Sequence, residues 1–187
     1  GLMKAIIMNF SLCMPSITKN KGLYSSKIFN KLEENKKMKL YIETSVPNFL
    51  FSTQDSAERQ TITKNFFKNI VPQHDAYVSD IYILEAEDAP PEKQKQFNSI
   101  ITRYNLKILE KTKNVEELAK KYQEELKLPE GYFNDLLHIA VATIHEMDVI
   151  VSWNLKHIVK LKTILAVEKI NQKFKYKRIH ICSPEEI

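Results

Sequence analysis

The chain has 187 residues, three glycines, two cysteines and a formal net charge of +5, which is length enough for one well-buried α/β domain and an appendage but hardly for two full domains. With glycine only at Gly1, Gly22 and Gly131, neither a GxGxxG dinucleotide cradle nor a GxxxxGK[ST] phosphate loop can be written. Cys13 and Cys182 are too far apart in sequence to form a CxxC or Cys/His ligand cluster, so no disulfide framework or structural zinc is indicated and a reducing, cytoplasmic setting is expected.

Residues 1–37 carry seven lysines against two glutamates. The whole charge excess therefore falls in that arm, the remainder is formally neutral, and the total says little about partners. One later stretch, 154–180, is one-sidedly basic: Lys156, Lys160, Lys162, Lys169, Lys173, Lys175, Lys177 and Arg178 face the single acid Glu168. It reads equally as a solvated helix face and as a surface for phosphates.

In chain order, the apolar content of residues 1–37 is broken by Asn9 and Pro15 and shows no small-residue cleavage pattern, so no signal peptide or membrane span is read there. The compact pattern begins at Met38, the expected natural start. Residues 1–37 are expected to be an N-terminal extension with a helix near Lys27–Lys36, and residues 38–187 a single domain. The first strand is Lys39–Ile42, which ends on Glu43-Thr44-Ser45 before the helix-unfriendly Pro47. A helix over Ser56–Val71, a strand over Ala76–Ser79 and a helix from Asp80 through Glu85 follow from their apolar spacing. Pro90-Pro91 opens a helix carrying Phe97, Ile100, Ile101 and Tyr104. Asn105–Leu109 reads as the third strand, and Val115, Leu118, Ala119, Tyr122 and Leu126 as one helical stripe. After Leu128-Pro129-Glu130-Gly131, Asn134 is the expected N-cap of a helix with Asp135 in its first turn. Val149-Ile150-Val151 is a short β-branched run suited to a strand buried on both faces. A lysine-rich helix, a last strand at Arg178–Ile181 and a capped turn at Ser183-Pro184-Glu185-Glu186 close the chain. The alternation implies a mostly parallel sheet of about five strands with helices on both faces, and ligands gathered at the strands' carboxyl ends.

Four polar residues recur at such ends: Glu43 after the first strand, Glu85 in the helix after the second, Asp135 at a helix start and Asn154 after the fourth strand. Three carboxylates brought together without basic partners repel, so the cluster is costly unless a divalent cation neutralises it. Hard oxygen ligands with open positions suit Mg²⁺ or Mn²⁺, and a metal held this way serves phosphodiester hydrolysis.

At these residues the sequence resembles a known family. Tyr41-Ile42-Glu43-Thr44-Ser45-Val46-Pro47, Ser79-Asp80-Ile81-Tyr82-Ile83-Leu84-Glu85, Asn134-Asp135-Leu136-Leu137-His138-Ile139-Ala140 and Ser152-Trp153-Asn154 look like the successive motifs of PIN-domain nucleases, most similar to VapC-like toxins of toxin–antitoxin pairs. The resemblance covers Met38 to Ile187 and implies a three-layer α/β/α PIN-like fold. It implies a Mg²⁺- or Mn²⁺-dependent endoribonuclease acting on RNA, often a homodimer, and restrained by an antitoxin. Carried over by position, Glu43, Glu85 and Asp135 stand for the family's acids, Asn154 for a common fourth acid, and Ser45 for the small polar residue that supports the first. Glu43 in place of Asp adds a methylene, and Asn154 in place of an acid removes a charge. Those departures make a catalytically silent RNA- or protein-binding module the alternative.

Simpler roles are open to several of these residues. Asp135 can complement a helix dipole, Glu85 can be a solvated helix acid beside Glu87 and Asp88, and Asn154 can cap a helix ahead of Leu155. His138, three residues after Asp135, is expected to be a packed, hydrogen-bonded core histidine, and Trp153 a packing residue.

Overall fold

The apolar run Leu40-Tyr41-Ile42 becomes the middle of the sheet in the computed structural model of the chain, which describes residues 37–51 and 57–187. The N-terminal arm up to residue 36, the helix expected near Lys27–Lys36 and Ser56 lie outside the described residues. Five strands, β1 (Lys39–Ile42), β2 (Asp75–Ser79), β3 (Lys107–Leu109), β4 (Val149–Val151) and β5 (His180–Cys182), pair in the order β3-β2-β1-β4-β5. Every pairing is parallel, so all carboxyl ends lie on one edge of the sheet.

Between the strands run α1 (Ser45–Phe51), α2 (Ala57–Asn65), α3 (Asp80–Glu87), α4 (Pro91–Arg103), α5 (Lys113–Leu126), α6 (Phe133–Ile144) and α7 (Leu161–Lys173). Alternation along the strands divides the core. Tyr41, Ile150 and Ile181 join one cluster with Leu118 and Tyr122 of α5, Ile139 of α6 and Ile170 of α7. Their neighbours Leu40, Ile42, Val149 and Val151 are equally buried with side chains directed to the opposite face. A chain of rings, Phe66 on Phe67 at 5.5 Å and Phe67 on Tyr104 at 4.9 Å, ties the end of α2 to the end of α4. No helix among the described residues is long and apolar enough to cross a membrane.

Several elements depart from the pattern read along the chain. Pro47 does not prevent a helix: it lies in the first turn of α1, where its missing N–H has no intrahelical partner to lose. The helix expected to run to Val71 ends as α2 at Asn65. It continues as a π-helical turn over Phe66–Ile70 and a 3₁₀ turn over Val71–Gln73, widening where Phe66 and Phe67 are both driven into the core. Asn134 is not an N-cap. A 3₁₀ turn at Glu130–Tyr132 leads straight into α6 at Phe133, which leaves Asn134 and Asp135 both inside the first turn. The third strand is shorter than expected because Asn105 takes a left-handed φ of 50° and Leu106 is still bonded back to Ile101. The capped turn at the end is present, with Ser183 and Glu186 forming a capping box.

Candidate metal centre

Parallel pairing of β1 with β4 sets Ile42 against Val151, so the next residues on each strand, Glu43 and Ser152, emerge side by side. The ladder continues one step past β1, with Glu43 N–H donating to Val151 O at 3.0 Å. Glu43 is 6% exposed, and its carboxylate is held by donors from both neighbouring segments. Ser45 N–H donates to Oε1 at 3.0 Å, the Ser45 hydroxyl to Oε2, and the Ser152 hydroxyl to Oε2 at 2.6 Å. The two serines are fixed in turn from the strand-end loop: Trp153 N–H donates to Ser45 Oγ and Asn154 N–H to Ser152 Oγ, each at 2.9 Å. Trp153 anchors that loop, its indole N–H donating to Thr63 Oγ1 at 2.8 Å and its ring lying 5.6 Å from that of Phe49.

Glu85 reaches the same place from α3 and His138 from α6, where it sits one turn beyond Asp135 and on the same side. His138 Nε2 lies 3.2 Å from Glu85 Oε2, and its Nδ1 lies 2.6 Å from the Tyr41 hydroxyl, which in turn is 2.7 Å from Ser79 Oγ. One ligand atom each from Glu43, Glu85 and His138 falls within 4.8 Å of the others, a grouping that could hold a metal ion. His138 is only 1% exposed. Sequence reasoning correctly foresaw a buried, hydrogen-bonded histidine but missed that its ring is turned to the carboxylates. The DxxH spacing was the available signal.

Asp135 borders this group. Its Oδ1 accepts the Asn154 side-chain amide at 3.0 Å, and its Oδ2 lies 3.1 Å from His157 Nδ1. Asn154 carries out the capping role as well, because its Oδ1 accepts His157 N–H at 3.0 Å and closes the turn after the loop. Tyr132 packs edge-on against His157, with centroids 4.4 Å apart. Tyr41 and Ser152 stand in the motif stretches read from the sequence, but sequence reasoning gave neither hydroxyl a role at this site.

The electrostatics follow from crowded, half-buried acids. Burial and the Glu43 charge push the Asp135 carboxyl above its ordinary range against the pull of His157 and Asn154. Burial also opposes charge on Glu85, but the His138 hydrogen bond and the histidine's charge outweigh it and hold that carboxyl low. For His138, burial favours the neutral ring, yet the Glu85 bond and the charges of Glu43, Glu85 and Asp135 together raise its pKa. No lysine or arginine pairs with Glu43, Glu85 or Asp135 among the described residues; their ionic contacts are the two histidines. Oxygen donors in excess negative charge, with one imidazole among them, fit a divalent cation.

Part of the basic stretch is neutralised within the fold: Lys169 pairs with Glu125, Lys177 with Asp148 and Arg178 with Glu168. Lys156, Lys160 and Lys162 instead line a cavity of about 680 Å³ together with His157, Tyr132 and Leu155. That cavity adjoins Asp135 through His157.

No family model matches the sequence, and no curated protein matches it. Solved structures do. A chain of VapBC2 from Rickettsia felis, bound to a DNA fragment from their promoter, aligns with a TM-score of 0.53 at 15% identity, covering 78% of this chain and 98% of that one. A chain of DNA-bound VapBC from Salmonella typhimurium aligns with a TM-score of 0.45 at 15% identity, covering 79% and 98%. The first likeness is one of fold: the five-stranded parallel sheet between helices is the PIN-like arrangement implied by the sequence motifs.

Proposed function

We propose that this chain is a metal-dependent endoribonuclease that hydrolyses RNA phosphodiester bonds, and the toxin of a toxin–antitoxin pair. The observation that carries the chemistry is the meeting of Glu43, Glu85 and His138 at the carboxyl edge of a parallel sheet, with Asp135 beside them and no lysine or arginine paired with the acids among the described residues. Glu43, Glu85 and Asp135 hold Mg²⁺ or Mn²⁺, Asn154 is a neutral fourth contact that orients Asp135, and Ser45 fixes Glu43. When bound, the cation supplies a hydrolytic nucleophile at neutral pH and offsets charge on the phosphoryl group. The chain's own residues do the positioning. Two serines hold the Glu43 carboxylate in one orientation, and Asp135 is clamped between Asn154 and His157. The cavity bearing Lys156, Lys160 and Lys162 gives the RNA backbone a cationic approach.

An antitoxin partner is supported by the shared fold with a chain of VapBC2. On the same reading residues 38–187 are the PIN-like domain, residues 1–37 an N-terminal extension, and the protein a cytoplasmic homodimer. The test is cleavage of single-stranded and transfer RNA with Mn²⁺ or Mg²⁺, by wild type and by Asp135→Ala, with and without chelator. Cleavage is expected only for wild type with the cation, and activity that survives chelator or the substitution refutes the mechanism.

A further inference from the structure

His138 has more hydrogen-bonding provision than a packing residue needs. Its Nε2 lies 3.2 Å from Glu85 Oε2, and one ligand atom each of His138, Glu85 and Glu43 falls within 4.8 Å of the others. Its Nδ1 is met by the Tyr41 hydroxyl at 2.6 Å, itself met by the Ser79 hydroxyl at 2.7 Å. Tyr41, Ser79 and His138 are all essentially without solvent exposure, so water does not compete for these contacts.

The identity of the Nδ1 partner matters. A backbone carbonyl or carboxylate there would accept only and would lock a hydrogen on Nδ1; a hydroxyl can donate or accept. In the metal-free arrangement Tyr41 O–H can donate to Nδ1 while Nε2–H donates to Glu85. With Nδ1–H donating to Tyr41 Oη and Tyr41 O–H donating to Ser79 Oγ, the same ring presents a bare lone pair at Nε2. The change is one of tautomer: the Nε2 hydrogen formerly shared with Glu85 leaves to solvent while one hydrogen is taken up from solvent at Nδ1, so the ring stays neutral and Nδ1–H is accepted by Tyr41 Oη. An outer partner that orients a histidine and sets its tautomer is the usual companion of a metal-binding imidazole.

We propose that His138, positioned by Tyr41 and Ser79, is a nitrogen ligand of the cation held by Glu43 and Glu85, and that it biases the site toward Mn²⁺ and later first-row ions over Mg²⁺. The inference rests on the reading that this group binds a divalent cation. The bias follows from donor chemistry. Mg²⁺ favours oxygen ligands in near-ideal octahedral geometry, whereas imidazole suits transition ions, whose affinity for such sites rises from Mn²⁺ along the series. It makes His138 a specificity-determining ligand where the sequence pattern of acids alone suggests none.

The experiment uses the full-length, tag-free protein loaded with Mn²⁺ and read by pulsed electron paramagnetic resonance for ¹⁴N coupling, alongside calorimetric titration with Mn²⁺ and with Mg²⁺. The wild type should show a directly coordinated nitrogen and tighter binding of Mn²⁺ than of Mg²⁺. His138→Gln should lose the nitrogen signal and weaken Mn²⁺ binding by at least the roughly 10- to 100-fold that loss of an outer partner costs, with Mg²⁺ affinity changed much less. Because His138→Gln perturbs the core, two further variants serve beside it. Tyr41→Phe should keep the nitrogen signal and bind Mn²⁺ more weakly, and His157→Gln should keep the signal. Bound Mn²⁺ without a nitrogen signal overturns the inference and leaves the cation site standing. A signal lost in His157→Gln but kept in His138→Gln overturns it as well. Failure of the wild type to bind either ion overturns both this inference and the functional reading beneath it.

Discussion

Ser152→Ala isolates what holds the Glu43 carboxylate. Ser152 is fully buried, donates to Glu43 Oε2 at 2.6 Å and accepts Asn154 N–H at 2.9 Å. Alanine leaves the backbone conformation open and removes one hydrogen bond to a charged group, worth about 1.5–3 kcal/mol, while leaving the Asn154 N–H without that acceptor. For a chain of this size that loss lowers the unfolding midpoint by about 3–12 °C. Thermal and urea unfolding in chelator measure it directly. Repeating the scans in millimolar Mn²⁺ should shrink the deficit, because a cation on the carboxylate supplies what the hydroxyl no longer does, and only ligands that favour the folded state raise its stability. A metal-free deficit below about 0.5 kcal/mol would refute the reasoning, since a buried carboxylate deprived of a donor cannot be that indifferent.

Asn154→Asp replaces the amide that donates to Asp135 with a second carboxylate 3.0 Å away. The metal-free protein should lose about 1–3 kcal/mol of stability, and calorimetry should show Mn²⁺ bound about tenfold more tightly, equivalent to about 1.4 kcal/mol. His180 gives a pH signature away from the site: burial, then the Arg178 charge, lowers its pKa below the ordinary value of 6.5. The unfolded chain therefore binds more protons here than the folded one, so stability rises with pH through this range and is lost as pH falls from about 6.5 through the depressed folded value. Chemical unfolding of wild type and His180→Gln between pH 7.5 and 5, at roughly half-unit steps, should show a shallower acid limb for the variant; parallel curves would show that His180 does not supply it.

Much of this site was legible in the sequence because parallel topology does the assembling. Short β-branched runs such as Val149-Ile150-Val151, alternating with helical stripes, already require a sheet whose carboxyl ends share an edge, so acids at those ends are expected to meet. Glu43 and Glu85 do so. What could not be read was how each carboxylate is held. Asn134 looked like an N-cap because residue type and breaker spacing favour it, but the 3₁₀ turn carries the chain into helix two residues sooner. His138 looked like core because its neighbours Leu137, Ile139 and Ala140 are core. A helical period says which face is buried, and says nothing of whether the buried neighbour is a leucine or a glutamate. Glu43, which Ser152 holds, and His138, which Tyr41 meets, lie more than ninety residues away from them along the chain, and hydroxyl contacts of that kind leave no periodic trace.

The first departure from the acid pattern finds its physical account here. A glutamate at residue 43 would be expected to place its carboxylate one methylene further out than an aspartate. Instead it turns back, so that Oε1 accepts the N–H of Ser45, the first residue of α1, and Oε2 accepts two serine hydroxyls. The longer side chain is thus taken up in capping a helix start, where partial positive charge favours an anion. Besides the two histidines, the groups that orient Glu43 and Asp135 are neutral: backbone N–H, serine and asparagine. Neutral donors fix where an oxygen sits without cancelling its charge. The site is therefore rigid and still electrostatically unbalanced: among the described residues, the ionic contacts of its acids are the two histidines. A structural ion-pair network would resolve that imbalance with a lysine or arginine. Leaving it open, while four hydroxyl and amide contacts fix the geometry of Glu43 and Asp135, is the arrangement expected where a multivalent cation completes the fold's chemistry.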